Sequence, residues 1–258
     1  MLLKFYKYQG TGNDFIMVDN RKETFPKTNT KLVATLCDRK FGIGADGLIL
    51  LDNDPVEDFR MIYYNSDGRP GSMCGNGGRC LVAFAKQLGV IDAQATFTAV
   101  DGLHEASIEK DIVSLRMQDV AKIDQGPGYT FLDTGSPHHV QVVNDLANME
   151  VYKEGKRLRY DRYGEKGSNI NFVELLDDGT FSVRTYERGV EDETLSCGTG
   201  VTATALAMHK IGKTTSGEVS VKTQGGKLKV KFDTIGDGYH QIYLIGPAKM
   251  VYKGEVLC

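Results

Sequence analysis

Two cysteines of this chain occupy matching glycine-flanked positions. Cys74 opens the run Cys-Gly-Asn-Gly, and Cys197 opens the run Cys-Gly-Thr-Gly 123 residues later. Each is expected where a strand gives way to a helix, and the unpaired N–H groups of a helix N-terminus favour the thiolate form of a cysteine. The glycines let those N–H groups approach an anion closely, so a substrate carboxylate is the expected ligand.

Such a pair of thiols predicts proton transfer at the carbon next to that carboxylate. We expect the two turns to face each other, one from each half of the chain. One sulfur, as thiolate, would remove the α-proton, and the other, as thiol, would supply a proton to the opposite face. The pattern therefore favours an amino-acid epimerase that needs neither a cofactor nor a metal, with Cys74 and Cys197 as its acid/base pair.

The two cysteine turns belong to a longer internal repeat with the same period. The other positions that match are Thr11-Gly12 with Thr134-Gly135, Tyr63 with Tyr186, Gly89 with Gly212, and Gly102 with Gly225. Self-similarity at a long fixed period indicates one architectural unit used twice. We therefore predict two pseudo-symmetric lobes, over residues 1–118 and 119–246. Residues 247–258 lie beyond the repeat and are expected to return to the first lobe as a strand.

Each lobe is expected to be mostly strand, with one helix directly after its cysteine. The two helices should end near Gly89 and Gly212, because glycine favours a helix C-cap. A peripheral helix is predicted over Lys31–Lys40, and hairpin turns are predicted at Asp101-Gly102 and Gly225-Gly226. The predicted strands are short apolar or alternating runs: Phe15–Val18, Leu48–Leu51, Phe59–Tyr64, Phe181–Tyr186, Val219–Thr223 and Lys227–Phe232.

Composition and charge argue against several other classes of protein. The chain has 258 residues, of which 41% are hydrophobic and 25% charged, and its formal net charge is -3. Lys and Arg form no blocks, which argues against a nucleic-acid partner. No apolar run approaches the roughly 20 residues that span a bilayer, and the N-terminal run lacks the apolar core of a signal peptide. We therefore expect a cytoplasmic protein with no membrane partner.

The remaining cysteines are interpreted as structural. The chain has five cysteines, with no C-x-x-C pair and no spacing typical of a zinc site, which argues against a disulfide framework and against a bound metal. A single buried cysteine is usually a small hydrophobic residue, and that interpretation is kept for Cys37, Cys80 and Cys258. Cys74 and Cys197 differ because both lie in the same turn, in register with the repeat.

Six motifs along the chain carry a resemblance to a known family. They are Gly-Thr-Gly-Asn-Asp-Phe at 10–15, Gly-Ile-Gly-Ala-Asp-Gly at 42–47, Tyr-Asn-Ser-Asp-Gly at 64–68, Met-Cys-Gly-Asn-Gly at 73–77, Tyr-Glu-Arg-Gly at 186–189 and Cys-Gly-Thr-Gly at 197–200. With them, nearly the whole chain resembles the diaminopimelate epimerases of bacterial lysine and peptidoglycan biosynthesis. The resemblance implies an α+β fold, in which each lobe is a mostly antiparallel, barrel-like sheet around a central helix. It also implies the conversion of LL-diaminopimelate to meso-diaminopimelate by a homodimer without pyridoxal phosphate.

The resemblance also implies a role for each site residue. Cys74 is the proton donor and Cys197 the acceptor, and the roles exchange in the reverse direction. His138 and Glu187 match residues that tune the two thiols, and Glu187 is counted with the substrate-binding residues as well. The other substrate-binding residues hold either the distal amino-acid end, namely Asn13, Asn65, Asn169 and Arg188, or the reacting carboxylate, namely Gly75, Asn76, Gly198 and Thr199.

The chain departs from the family pattern at three places. Ser136 stands where the family often has Asn, and Gly47 stands where some members have Gln. The stretch Glu187–Cys197 is one residue longer than in several relatives. These differences concern contacts to the distal end of the substrate and not the proton transfer.

Three other interpretations fit parts of the pattern. Proline racemases and their relatives also use two cysteines without a cofactor, but proline has no second amino-acid end for Asn65, Asn169 and Arg188 to bind. A thiol–disulfide protein would more often carry its cysteines as C-x-x-C. A binding module on the same fold would not need both thiols, so replacing Cys74 or Cys197 distinguishes it from an enzyme.

Overall fold

The computed structural model describes every residue, Met1–Cys258. The chain divides into two compact units, one formed by Met1–Leu115 together with Gly246–Cys258, and the other by Arg116–Ile245. None of the four α-helices is both long and apolar enough to cross a membrane.

The first unit contains eight strands and two helices. The strands are β1 (Leu2–Gly10), β2 (Asn13–Asp19), β3 (Gly47–Asp52), β4 (Phe59–Asn65), β5 (Gln94–Ala99), β6 (Gly102–Glu109), β7 (Ile112–Arg116) and β17 (Lys249–Leu257). The helices are α1 (Thr30–Cys37) and α2 (Gly75–Gln87). The three strands predicted in this half are confirmed within β2, β3 and β4.

The strands of the first unit form one continuous sheet around α2. Hydrogen-bonded neighbours follow the order β17, β1, β2, β3, β4, β5, β6, β7, and all pairs are antiparallel except β2–β3 and β4–β5. α2 packs against β17, β1, β2 and β3, and also against β6. Because strands from both parts of this order contact the same helix, the sheet curves around it.

The sequence of α2 explains how a helix can be enclosed in this way. All residues from Gly75 to Val82 are buried, so the first half of the helix has no solvent face. Small residues are required where the sheet comes close. A Cβ on Gly77 would lie 2.8 Å from Ile49 Cδ1 of β3, and one on Gly78 would lie 2.5 Å from Met73 Cε.

The second unit repeats this plan. Its helices are α3 (Val151–Asp161) and α4 (Gly198–Lys210), and a 3₁₀ turn spans Leu146–Asn148. Its strands are β8 (Ile123–Gly126), β9 (Tyr129–Asp133), β10 (Pro137–Val142), β11 (Asn169–Leu175), β12 (Phe181–Glu187), β13 (Asp192–Thr194), β14 (Glu218–Thr223), β15 (Gly226–Ile235) and β16 (Gly238–Pro247). The predicted strands of this half are confirmed within β12, β14 and β15.

The strand pairing of the second unit matches that of the first. Neighbours follow the order β8, β9, β10, β11, β12, β14, β15, β16, and the only parallel pairs are β10–β11 and β12–β14. The short strand β13 pairs with β12. α4 packs against six of these strands, from β9 to β15. Each unit is therefore a mostly antiparallel sheet around a central helix, as the family resemblance implied.

Both central helices end at the predicted glycines. Gly89 and Gly212 lie in the left-handed region, with φ of 69° and 72°. The Gly89 N–H donates to the Lys86 carbonyl and the Val90 N–H to the Ala85 carbonyl, both at 3.0 Å. The same two bonds, at 3.0 and 2.9 Å, close the helix before Gly212. These are the two bonds of a Schellman motif, which satisfies carbonyls at the helix end.

The connections are close to the prediction, with small shifts. β17 pairs antiparallel along β1, so the predicted return of the last residues as a strand of the first unit is confirmed. The closing pairs of the two hairpins are Ala99–Gly102 and Thr223–Gly226. The turn residues therefore lie one position before the predicted pairs.

The two peripheral helices differ from the prediction. α1 ends at Cys37, three residues before the predicted Lys40, because Asp38 is extended with ψ 127°. The Asp38 carboxylate accepts hydrogen bonds from the N–H groups of Lys40 and Phe41, at 2.7 and 2.8 Å, and this turn stops the helix. α3 has no counterpart among the sequence predictions, and it packs against β11, β12 and β13.

Alanine at Gly89 or Gly212 tests the cost of left-handed backbone at these helix ends. No atom lies within 4 Å of a Cβ built on either glycine, so only the backbone conformation opposes a side chain. We expect each alanine variant to lose about 1 kcal/mol of unfolding free energy, measured by urea unfolding followed by circular dichroism. Asparagine, which tolerates this conformation, should cost less; alanine variants as stable as the wild type would contradict the interpretation.

Candidate functional site

Each of the two cysteines singled out by the repeat is the N-cap residue of a central helix. Cys74 precedes α2 with φ -112° and ψ 118°, and Cys197 precedes α4 with φ -115° and ψ 112°. The first intrahelical bonds run from the Gly78 N–H to the Cys74 carbonyl (2.7 Å) and from the Val201 N–H to the Cys197 carbonyl (2.9 Å). The N–H groups before these bonds have no acceptor within their helix, so both turns present donors suited to an anion.

In the first unit, three of the predicted residues come together around one oxygen atom. Cys74 Sγ lies 3.6 Å and Asn76 Nδ2 lies 3.3 Å from Asn13 Oδ1. The other end of the Asn13 amide, Nδ2, donates to Asp46 Oδ2 at 2.6 Å. Because an amide oxygen can only accept, Cys74 is the donor in its contact and carries its proton there.

Asn76 is held in turn by Arg79, a residue that the sequence analysis did not select. The Arg79 side chain is fully buried. It donates to Asn76 Oδ1 at 3.1 Å, to Thr11 Oγ1 at 3.2 Å and to the Gly75 carbonyl at 3.3 Å. Arg79 therefore ties the first turn of α2 to the turn between β1 and β2.

Asn65 lies at the end of the sheet where β2 begins. Phe15, Gly47 and Asn65 are in register across β2, β3 and β4. The Asn65 side chain is exposed and makes no hydrogen bond within the chain, so its amide is open to a ligand. A Cβ on Gly47 would lie 2.5 Å from Tyr63 Cε2, so the Tyr63 ring occupies the space that a larger residue at this position would need.

In the second unit, Cys197 has a different partner. Cys197 Sγ and Thr199 Oγ1 are 3.4 Å apart, and either atom can be the donor. Thr134, the repeat partner of Thr11, donates from Oγ1 to the Thr199 carbonyl at 3.0 Å. A thiolate at Cys197 can thus accept a hydrogen bond from the Thr199 hydroxyl, whereas Asn13 Oδ1 offers no proton to Cys74.

His138 is a buried, neutral histidine. Its Nδ1 lies 3.1 Å from Asn171 Nδ2, and its Nε2 lies 3.5 Å from Asn169 Nδ2. Both amide nitrogens are donors, and a neutral imidazole has only one acceptor nitrogen. The shorter contact makes Nδ1 the acceptor and leaves the ring proton on Nε2, so the 3.5 Å contact with Asn169 is not a hydrogen bond. Burial, together with the positive charge of Arg188, lowers the pKa of His138 to about 3. The imidazole is therefore uncharged at neutral pH.

Asn171 connects His138 to the start of α4. Asn171 Oδ1 accepts from Thr185 Oγ1 at 2.9 Å, and a Cβ on Gly200 would lie 2.5 Å from that oxygen. The neighbouring His139 points to the other side of β10, where its Nδ1 lies 2.8 Å from the Tyr163 hydroxyl. Strand alternation therefore selects His138, and not His139, as the histidine near the Cys197 turn.

Asn169 and Arg188 form one group with Ser136. Asn169 Oδ1 accepts from the Arg188 backbone N–H at 2.9 Å, and Asn169 Nδ2 donates to Ser136 Oγ at 2.9 Å. The Arg188 guanidinium donates to Ser136 Oγ at 3.3 Å and to the Lys166 carbonyl at 3.0 Å. Ser136 thus holds both residues, and the exposed guanidinium can receive a carboxylate.

Glu187 is the last residue of β12, next to Arg188. Its Oε2 accepts from Thr194 Oγ1 at 2.9 Å. Thr194 ends β13, which pairs with β12. The stretch after Glu187 therefore folds back as a short strand, and this strand holds Glu187.

The other cysteines do not share this setting. Cys37 and Cys80 are buried, and burial raises the pKa of each thiol to about 12. Cys258 is exposed, so its interpretation as a buried residue was wrong: it follows β17, which pairs along β1 at the chain terminus. No group of three or more His, Cys, Asp or Glu side chains is arranged to hold a metal ion.

Three polar residues of this region were not predicted as site residues, although each leaves a signal in the sequence. Arg79 is the only charged residue among the first ten of α2. Asn171 follows Asn169 at a spacing of two in a strand, which places both on one face. Thr134 is the repeat partner of Thr11. The Thr11 hydroxyl accepts from Arg79 of α2, and the Thr134 hydroxyl donates to the Thr199 carbonyl in the first turn of α4.

Comparisons with known proteins place nearly the whole chain in one family. The sequence model of the family described as diaminopimelate epimerase matches residues 5–123 and 130–251. The diaminopimelate epimerase of Flavobacterium psychrophilum is 59% identical over 256 residues, covering 98% of this chain and 100% of that protein. That of Chlorobaculum tepidum is 44% identical over 258 residues, covering 96% of this chain and 98% of that protein.

Solved structures share the fold at low sequence identity. A PhzF-family phenazine biosynthesis protein of Bacillus anthracis superposes with a TM-score of 0.78 at 16% identity, covering 100% of both chains. A hydroxyproline epimerase of Agrobacterium vitis superposes with a TM-score of 0.71 at 15% identity, covering 99% of this chain and 92% of that one. Because the family match spans almost the whole sequence and named relatives are highly similar, the chain belongs to the diaminopimelate epimerase family of isomerases.

Proposed function

We propose that this chain converts LL-diaminopimelate to meso-diaminopimelate without a cofactor, with Cys74 and Cys197 as its two acid/base groups. Membership of the diaminopimelate epimerase family supports the substrate. The observation that carries the mechanism is the repeated N-cap: one cysteine, with the same backbone conformation, begins the central helix of each unit. The reaction requires both thiols to reach one α-carbon from opposite faces.

The hydrogen bonds of the two sulfurs suggest which thiol starts with the proton. Cys74 donates to Asn13 Oδ1, an atom that cannot return a proton, so Cys74 is the acid. Cys197 lies beside the Thr199 hydroxyl, which can stabilise a thiolate, so Cys197 is the base. In this direction Cys197 takes the α-proton and Cys74 supplies the new one. The roles exchange in the reverse reaction.

Negative charge builds on the substrate carboxylate as the α-proton leaves. The first-turn N–H groups of α2 and α4, at Gly75, Asn76, Gly198 and Thr199, are the donors proposed to bind it. Donors fixed in place before the reaction stabilise such charge more than mobile water does. Because the glycines carry no Cβ, the carboxylate can approach the backbone closely.

The distal end of the substrate is assigned to Asn65, Asn169 and Arg188. Diaminopimelate carries a second ammonium and a second carboxylate, and Arg188 offers an exposed guanidinium that Ser136 holds in place. Proline-type substrates lack this end. The hydroxyproline epimerase likeness, at 15% identity, concerns the fold alone, so a proline racemase-like activity is the weaker alternative.

The compartment and the assembly are further parts of the proposal. Proton transfer by two thiols needs both cysteines reduced, and reduced thiols persist in the cytoplasm. We therefore propose a cytoplasmic enzyme, and a homodimer, as the family resemblance implies.

The substrate is tested with the purified chain, LL-diaminopimelate and a chelator, with no added cofactor. We expect meso-diaminopimelate to accumulate, and in deuterated water the product should carry deuterium at the inverted carbon. L-Proline and trans-4-hydroxy-L-proline serve as matched alternatives and should not be converted. Conversion of proline but not of diaminopimelate would reject the proposed substrate and favour the racemase alternative.

Replacing either sulfur should abolish epimerisation. We expect Cys74→Ala and Cys197→Ala each to lower the rate by at least about 100-fold, because each removes one of the two proton carriers. The matched control is Cys37→Ala, which removes a buried thiol from the hydrophobic core of the first unit and should keep the wild-type rate per folded molecule. Rates near wild type in both catalytic variants would leave a binding module as the better interpretation.

The neutral state of His138 predicts how stability depends on pH. Its folded pKa of about 3 lies below the ordinary value of 6.5, so the unfolded chain binds the proton more readily. The contribution of the neutral His138 ring to the unfolding free energy is therefore complete above pH 6.5, and it is lost as the pH falls from 6.5 toward 3. His139, with a pKa of about 4, acts in the same sense.

Urea unfolding between pH 7.5 and 5.0 measures this effect. We expect the unfolding free energy to fall with pH, and the slope to be smaller in His138→Gln. His139→Gln should reduce the slope as well, because burial lowers the pKa of His139 to about 4. An unchanged slope in His138→Gln would mean that the ring binds its proton equally well in the folded and unfolded chains, and would contradict the interpretation.

A further inference from the structure

Arg79 is a buried cation with no carboxylate partner. It is the largest fully buried side chain of the protein, and its three acceptors are an amide, a hydroxyl and a backbone carbonyl. Its Nε makes no hydrogen bond. Burial lowers the pKa of Arg79, and the nearby Cys80 and Cys74 thiols oppose that effect, but a guanidinium stays charged in proteins. Burying such a charge unpaired is costly, so its presence calls for a role.

The hydrogen bonds of Arg79 decide the orientation of the Asn76 amide. A guanidinium only donates, so the Asn76 end that faces it must be Oδ1. Asn76 Nδ2 is then turned toward Asn13 Oδ1, at 3.3 Å. Without Arg79 the amide could turn by half a rotation. It would then present an oxygen, in place of N–H groups, on the side where Cys74 lies.

A carboxylate fixes the other end of the same chain of hydrogen bonds. Asp46 only accepts, so the Asn13 end that faces it must be Nδ2, at 2.6 Å. Asn13 Oδ1 is thereby left to accept from both Asn76 and Cys74. The direction of every hydrogen bond in this network is thus set by a cation, Arg79, at one end and an anion, Asp46, at the other.

The corresponding position of the second unit carries no charge. Thr202 stands 123 residues after Arg79, is fully buried, and donates from Oγ1 to the Gly198 carbonyl at 3.1 Å. The same backbone plan therefore folds around α4 with a neutral residue at this point of the helix. A cation at residue 79 is not a requirement of the fold.

We propose that Arg79 is the positioning residue of the Cys74 turn: it orients Asn76 so that N–H groups face the substrate carboxylate, and through Asn13 it keeps Cys74 as the hydrogen-bond donor. This inference rests on the proposed function. Arg79 touches neither reacting atoms nor substrate; it acts through Asn76.

The test compares Arg79→Met, Arg79→Lys and Asn76→Ala with the wild type in LL-diaminopimelate epimerisation and in thermal unfolding. Arg79→Met should lower kcat by about 10- to 100-fold, with a smaller change in KM, because the interaction matters most when charge develops. Its melting temperature should stay within about 5 °C of wild type, since an apolar residue replaces an unpaired buried charge.

Arg79→Lys keeps the charge and should give an intermediate kcat. Thr202→Val, at the repeat-equivalent position, is the matched control and should keep the wild-type kcat.

A double variant separates positioning from a structural role. If Arg79 acts through Asn76, adding Arg79→Met to Asn76→Ala should lower kcat little further. A kcat of Arg79→Met within twofold of wild type, or a double variant whose losses multiply, would overturn the inference. If Arg79→Met does not fold, the cycle is run with Arg79→Lys, and a full wild-type kcat in that variant would overturn it. A wild-type chain that does not act on LL-diaminopimelate would instead reject the proposed function on which the inference depends.

Discussion

The start of a buried helix is the constraint on which the rest of this structure depends. Each unit encloses its central helix in a curved sheet, and the first N–H groups of that helix have no acceptor within it. Glycines next to Cys74 and Cys197 keep these groups accessible to an anion, and the N-cap position places a sulfur beside them. The parallel and antiparallel pairings then bring the polar ends of β2, β3 and β4, and of β10, β11 and β12, to the same end of the sheet as that turn.

The two units share a backbone plan but not an electrostatic one. Around Cys74 the hydrogen bonds run from a buried cation, Arg79, to a carboxylate, Asp46. Around Cys197 the neighbouring groups Thr199, His138 and Asn171 are all neutral, and the last two are buried. A reaction in which one thiol gives a proton and the other takes it needs two different environments. Divergence of side chains on a duplicated backbone supplies that difference without changing the geometry of the turns.

Much of this fold follows from the 123-residue repeat and the glycines that punctuate it. Local or periodic signals in the sequence predict the positions of α2 and α4, their ends at Gly89 and Gly212, and the return of β17. α3 was missed because its run Val151–Asp161 is strongly charged and shows little apolar face. The repeat does predict a helix here: the helix predicted over Lys31–Lys40 implies a second helix 123 residues later, over 154–163, and this range overlaps α3.

The polar network of the site could not be predicted in the same way. A period shows which residues share a face, but a hydrogen-bond partner depends on contacts far apart in the chain, such as Arg79 with Thr11 or Asn171 with His138. The resemblance grouped Asn13 with residues for the distal end of the substrate, while in the fold it lies beside Cys74 and Asn76. The sense of such a network is decided by groups that can only donate or only accept. A buried arginine inside a glycine-rich helix start is therefore a signal to look for the amide that it orients.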